Sequence, residues 1–266
     1  MTRLVWDEVG KREYETGVRQ CVLYRQNAQG AYATGVAWNG ITSISQNPTG
    51  ADSNPIYADD IKYLDLRAIE EEEGTIEAYT YPEEFEECDG SAQLTTGVVI
   101  HQQPRKPFGL CYRTTLGNDT EFEDHGYKLH LIYGCTCSPS EKTYETINDS
   151  PEAITFSWDY TTTPVKVTGK KDTSSLEINS TAFKTESDKA KLKKLEGVLY
   201  GVDAPEFSST SEYPAGSFVT YEDAVYTNPQ AIETAGAWNA SNWVEVENPG
   251  PRLPLPDEVV TILTSN

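Results

Sequence analysis

Cys135-Thr136-Cys137, with His125 and His130 close by, is the first group of residues in this chain that could do chemistry, as soft ligands for a metal ion. The two-residue step between the thiols does not match a zinc knuckle, so half-buried thiols on a strand explain the group better. The stretch GNDTEFEDHG offers Asn118, Asp119, Glu121, Glu123 and Asp124, enough oxygens for a calcium ion but without the spacing of an EF-hand loop. A polar hairpin tip accounts for it equally well. Glu83, Glu84, Glu86 and Glu87 could supply the acid and nucleophile of a glycosidase. Paired carboxylates are cheap in so acidic a chain. With three histidines, no nucleophile elbow and no phosphate-binding glycine loop, the expectation is a non-enzyme with no cofactor and no metal.

Charge is the next constraint. The 266 residues hold 42 acidic and 21 basic side chains, a formal charge of −21. Such a surface repels free nucleic acid. Between Glu70 and Asp89 ten of twenty residues are acidic and none is basic, so the segment cannot be buried. It reads either as a solvated loop or as a wall of charge facing something negative that must not stick. Five cysteines form an odd set, the N-terminus lacks the apolar run of a signal peptide, and no apolar stretch approaches the ~20 residues of a membrane span. The expectation is reduced thiols and a protein made in a cytoplasm, with no membrane anchor, soluble until it assembles.

The elements that would position these residues are mostly strands. Pro107 to Leu116 and Gly126 to Gly134 read as the arms of a long hairpin with an acidic tip. GVRQCVLY supplies a first strand, AWNGITSISQ a second region, and NPTGADSNP reads as turns. GTIEAYTYP alternates as a half-exposed strand, and AITFSWDYTTTPVKVTG gives a long one with Ile154, Phe156 and Trp158 on one face. SPSEKTYETINDSPEA is loop-like, broken at Pro139 and Pro151, and LEINSTAF could add a short strand. A single helix is expected from Thr185, whose hydroxyl caps it while Asp188 sits at the positive end of the dipole. Leu192, Leu195 and Leu199 share its buried face and Gly201 stops it.

KPFGLCYRT, GNDTEFEDHGYKLHLIYG and SPSEKTYETINDSPEAITFSWDYTTTPV, with WDEVGKREYETGV, AWNGITSI and GTIEAYTYPEEFEECDG upstream, together resemble the major tail protein of long, non-contractile-tailed bacteriophages. The resemblance runs over nearly all of residues 1–204. It implies a mainly β fold, a β-sandwich or half-barrel with one helix, in which six copies close into a β-barrel ring and rings stack into a tail tube. It further implies a place in the virion tail, beside tail tip, tape measure and tail terminator proteins. Double-stranded DNA then passes through the lumen without binding, and Glu70, Glu71, Glu72, Glu73 and Glu77 are the acids expected to face it. Asn118, Asp119, Glu121, Glu123 and Asp124 are expected at a contact between subunits.

After the Ser/Thr-rich PEFSSTSE the texture changes. Residues 213–246 resemble a small three-stranded carbohydrate-binding module of the chitin-binding kind, on Gly216, Val219, Tyr221, Val225, Tyr226, Trp238, Trp243 and Val246. Tyr221, Tyr226, Trp238 and Trp243 are then either glycan contacts or the module's core. PRLPLPDEVVTIL resembles the closing segment of the tail protein family. The division expected is therefore a tube domain over 1–205, an inserted module over 206–248, and residues 249–266 returning as the last strand. A free-standing sugar-binding adhesin and a glycan-cleaving enzyme are the competing classes.

Overall fold

A computed structural model describes residues 3–50, 52–144, 146–147, 149, 153–246 and 250–264. Pro151 and the module boundary at 247–249 lie outside them. The chain is mainly β. In order, its strands begin with β1 (Glu13–Gln26), β2 (Tyr32–Trp38), β3 (Ile41–Gly50), β4 (Ser53–Ala58), β5 (Ile61–Arg67) and β6 (Glu70–Ala78). A short helix, α1 (Glu86–Asp89), and a small hairpin, β7 (Ala92–Thr95) and β8 (Val98–Ile100), follow. Next come β9 (Phe108–Asn118), β10 (Phe122–Cys137), β11 (Phe156–Thr161), β12 (Ser175–Asn179) and helix α2 (Glu186–Tyr200). β13 (Phe218–Tyr221), β14 (Ala224–Thr227) and β15 (Val244–Glu245) form a separate antiparallel sheet, and helix α3 (Pro256–Thr264) closes the described chain.

The main sheet path runs β2-β1-β9-β10-β11-β6-β3, with β12 pairing β10 off the path. It folds into two layers because β10 changes partner along its length. Lys128–Ile132 pair with β12, whereas Thr136 and Cys137 pair with β11. Gly134 lies between the two stretches with φ at +63°, a conformation that favours glycine, and a β-carbon there would collide with the Thr163 carbonyl. The bend lets one core form between the layers around Leu23, Phe85, Leu110, Ile132, Trp158 and Tyr160. A second core lies on the far face of β1, β9 and β10, where Tyr24, Leu129, Leu131 and Tyr133 meet α2 and α3. Apolar cover on both faces is why β9 and β10 read as near-continuous apolar runs.

The hairpin of β9 and β10 stands where the sequence placed it. So does α2, capped by Thr185 Oγ1 accepting from the Asp188 N–H, with Leu192, Leu195 and Leu199 buried. Three expectations are corrected. Residues 249–266 do not return as a strand. Leu253 makes one isolated bridge to Tyr32, and α3 then buries Val259 and Ile262, three apart, in the second core. A short apolar run such as VVTIL fits either period, and Pro256 at the first helical position favours the helix. The chain thus carries α1 and α3 besides the one helix expected. NPTGADSNP is not a set of turns: β3 runs to Gly50 and β4 starts at Ser53. The long strand expected from Ala153 is only Phe156–Thr161, with Ile154 exposed before it.

Replacing Gly134 with alanine should lower stability by about 1–3 kcal/mol, because backbone strain adds to the clash. A urea titration of Gly134→Ala against wild type measures it, and Gly97→Ala, also at positive φ but with open space around it, separates strain from collision.

Candidate functional site: an acid and hydroxyl face

β3, β6 and β11 form the outer layer, and strand alternation decides which of their side chains leave the core. Gly74, Ile76 and Ala78 point inward and are buried. Glu71, Glu73, Thr75 and Glu77 therefore point outward. Across the ladder they meet Thr49, Asn47, Ser45 and Ser43 of β3, while Glu73, Thr75 and Glu77 meet Thr161, Asp159 and Ser157 of β11. Ser43 Oγ donates to Glu77 at 2.7 Å and Thr75 Oγ1 to Asp159 at 2.7 Å. The face is thus built of carboxylates, hydroxyls and an amide. None of these three strands holds a lysine or arginine.

The acidic run is therefore a strand with a register. Glu71, Glu73 and Glu77 share the outward face, and Glu70 is exposed opposite Gly50 at the strand's end. Glu72 turns the other way, accepting from Gln46 Nε2 at 2.9 Å and from Ser175 Oγ at 2.5 Å. Asp159 belongs to the same face, and sequence reading missed it because its partner strand lies far along the chain.

Beyond Gly50 the layer narrows to a two-stranded arm, β4 and β5, turned by Asp59 and Asp60, both at positive φ as a tight hairpin requires. Ile56, Tyr57, Ile61, Tyr63, Leu64 and Leu66 are all exposed on it. A lone two-stranded ribbon is marginal in water, so an apolar arm of this kind is suited to burial against something else.

The tip of the β9–β10 hairpin is engaged with its own chain. Asn118 Oδ1 accepts from the Thr120 and Glu121 N–H groups at 3.0 and 2.5 Å, and Asp119 accepts from the Gly10 N–H at 2.8 Å. Glu121 holds His125 Nδ1 at 2.7 Å, while Glu123 and Asp124 are exposed. Of the five residues, the structure gathers three into this intramolecular clasp. His130 stacks on Tyr112 at 4.7 Å and meets Thr114 Oγ1 at 2.9 Å, with Glu15 and Glu177 beside it.

Burial raises the thiols of all five cysteines, with Cys88 and Cys111 pushed up to about 12, so none is poised as a thiolate ligand or nucleophile. Among the described residues no group of three or more His, Cys, Asp or Glu side chains is arranged to hold a metal, and no helix is long and apolar enough to cross a membrane. Glu83 and Glu84 lie in a single turn before α1, and Glu87 pairs with Arg25 and Lys106. Ser91 Oγ and His101 Nδ1 meet at 2.8 Å, a contact no motif announced, which ties the end of α1 to the β7–β8 hairpin.

Tyr221, Tyr226, Trp238 and Trp243 do come together. Trp238 stacks on Tyr221 at 4.0 Å, lies near-parallel to Trp243 at 5.3 Å, and takes Tyr226 edge-on. Phe207, read in sequence as part of a linker, packs edge-on to Tyr221, Trp238 and Trp243. Trp243 is buried. Tyr221, Tyr226 and Trp238 are half-buried, partly packed against one another and partly open to solvent.

No family model matches the chain, and no curated protein matches it significantly.

Two outcomes check this geometry. The Glu121 carboxylate raises the His125 pKa, so its contribution to stability is complete below the unfolded value of ~6.5 and fades as pH rises through its folded one. Burial lowers His130, whose contribution is complete above ~6.5 and fades as pH falls. NMR titration should find the two imidazoles on opposite sides of ~6.5, and Glu121→Gln should bring His125 down without moving His130. In the module, Trp238→Ala should cost about 3–5 kcal/mol and abolish the near-ultraviolet signal of the stacked rings. A variant that keeps that signal would instead mark Trp238 as a dispensable surface ring.

Proposed function

We propose that this chain is the tail tube subunit of a long, non-contractile-tailed bacteriophage, a structural protein and not an enzyme. Six copies close into a ring, rings stack into a tube, and the tube conducts the genome. The observation that carries the reading is the outward face of β3, β6 and β11. A surface of Glu71, Glu73, Glu77 and Asp159 set among serine, threonine and asparagine, with no cation on its strands, suits a wall past which DNA slides. Phosphates approaching it meet like charge and hydroxyl-bound water, and there is nothing for them to neutralise. Glu72 is excluded from this role by its inward turn.

Two further features support assembly. The sheet path ends at β2 and β3; the Pro251–Leu253 segment already covers β2 at Tyr32 and Gly35, and the edge of β3 is the one that a neighbouring subunit can pair to extend the sheet towards a closed barrel. The apolar β4–β5 arm reaches an adjacent ring and buries its side chains there. On this reading the arm adds to the contact expected of the β9–β10 tip, where Asn118, Asp119 and Glu121 are engaged within the chain and Glu123 and Asp124 remain exposed. Tail tip, tape measure and tail terminator proteins bound the tube at its ends and fill it before the genome passes. The aromatic module decorates the tail's outer surface.

Light scattering with negative-stain microscopy should find hexameric rings or tubes in the purified protein, alone or after addition of tail-tip complexes. A monomer under every condition would sink the reading. In assembled tails, Glu71→Lys, Glu73→Lys and Glu77→Lys together should slow or stop DNA ejection, and unchanged ejection kinetics would remove the acid face from the mechanism. Tyr63→Ser, Leu64→Ser and Leu66→Ser together should leave single rings that no longer stack.

A further inference from the structure

Several cations packed against this fold already hold a carboxylate. Lys128 lies between Glu15 and Glu177 at 2.8 and 3.0 Å, Lys142 meets Asp89 at 2.8 Å, and Arg25 and Lys106 share Glu87. Arg19 and Arg113 differ. They face each other directly across the β1–β9 ladder, and among the described residues neither forms an ion pair. Like charges opposite each other on a ladder are destabilising, although this chain has two acidic side chains for each basic one with which to relieve them.

Both guanidiniums are positioned, and both keep donors to spare. Arg113 lies over the Tyr127 ring, 3.4 Å from its centre, which holds the guanidinium in place and leaves the N–H groups at its edge to other partners. Its Nε is buried without a hydrogen-bond partner, so nothing beneath it compensates the charge, and its Nη1 reaches Gln20 Oε1 only at 3.4 Å. Arg19 Nη2 donates to Thr115 Oγ1, a neutral group. The two side chains line an open cleft of about 540 Å³ between the sheet and α2. Lys189 and Lys193 of α2 line it too, Lys189 held by Glu186 and Lys193 without an ion pair among the described residues. Three carboxylates share the lining. Glu196 accepts from the Tyr127 hydroxyl at 2.7 Å, Glu123 and Asp124 are exposed, and none of the three is ion-paired with either arginine.

We propose that this cleft binds a small organic phosphate monoester. Residues opposite each other on an antiparallel ladder have α-carbons roughly 5 Å apart, close enough for two guanidinium forks to converge on one tetrahedral head. A dianion between them turns the cross-strand repulsion into a shared attraction, and arginine is the side chain whose planar fork matches phosphate oxygens. Phe183, half-buried, and Leu192, buried, give the cleft an apolar wall on the α2 side, so the ligand carries an apolar or aromatic body behind its head. A phosphate diester, the form found in a nucleic-acid backbone, has a single charge and answers only one arginine. The site lies on the α2 side of the inner layer, apart from the acid face, and does not rest on the tube reading.

Phosphorus NMR of phenyl phosphate, titrated with the full-length protein at constant ionic strength and about pH 7.5, where the monoester carries close to two charges, tests it. Saturable binding with a Kd below about 1 mM is expected. Arg19→Gln should weaken it at least tenfold, and because Arg19 is exposed a thermal melt like that of the wild type should accompany the loss. Arg113→Lys, which keeps the charge but not the fork, should weaken it as much. Dimethyl phosphate, a singly charged diester, should bind at least tenfold more weakly than phenyl phosphate. No saturation by about 10 mM, binding unchanged in either variant, or a diester bound as tightly as the monoester would overturn the inference. The signal belongs to the ligand, so free subunits and assembled material can both be titrated, and the result leaves the tube reading untouched.

Discussion

One bent strand holds this molecule together. β10 belongs to the inner layer as far as Ile132 and to the outer layer from Thr136, and the two cores lie on either side of the sheet it anchors. Tyr32 fixes the bend from below by accepting from the Gly134 N–H at 2.8 Å, and the Thr163 N–H donates to the Gly134 carbonyl at 3.0 Å from the other side. Without the bend, β11, β6 and β3 would continue the first sheet and expose Trp158 and Ile76. The acid face exists because that layer is folded over, with one surface spent on the core and the other left to water.

Where local rules suffice, the sequence was legible. The β9–β10 hairpin and the capped helix α2 follow from period, turn composition and a Thr185–Asp188 cap, all contained in a few neighbouring residues. The acidic run was legible as charge but not as a face. Its register depends on β3 and β11, the latter some eighty residues away, and a slip of one position would exchange Glu72 for Glu71 and Glu73. The β4–β5 arm was missed because Pro48, Gly50 and Pro55 are strong turn signals, yet two-stranded edges tolerate such residues. α3 was misread because a five-residue apolar run carries too little periodicity to choose between helix and strand.

The aromatic module shows the same limit in miniature. Counting tryptophans and tyrosines finds its important side chains but not their use. Stacking at 4.0 Å takes one face each of Trp238 and Tyr221, and both rings stay half-buried. A domain of some forty residues has few other means of making a core, and Phe207 enters it from a stretch that looked like linker.

The outward carboxylates also bear on when a polymer could begin. Each copy brings a net charge of −21, so two copies approaching edge to edge repel before their strands can pair, over a range of about 8 Å at physiological ionic strength. The β3 edge and an apolar arm would otherwise invite indiscriminate aggregation. In the proposed tube, self-repulsion would act as a nucleation barrier. Isolated subunits would persist at low ionic strength and growth would start on a pre-organised template or where counterions collect, so that the charges proposed to keep a passage clear would also set the place and time of assembly.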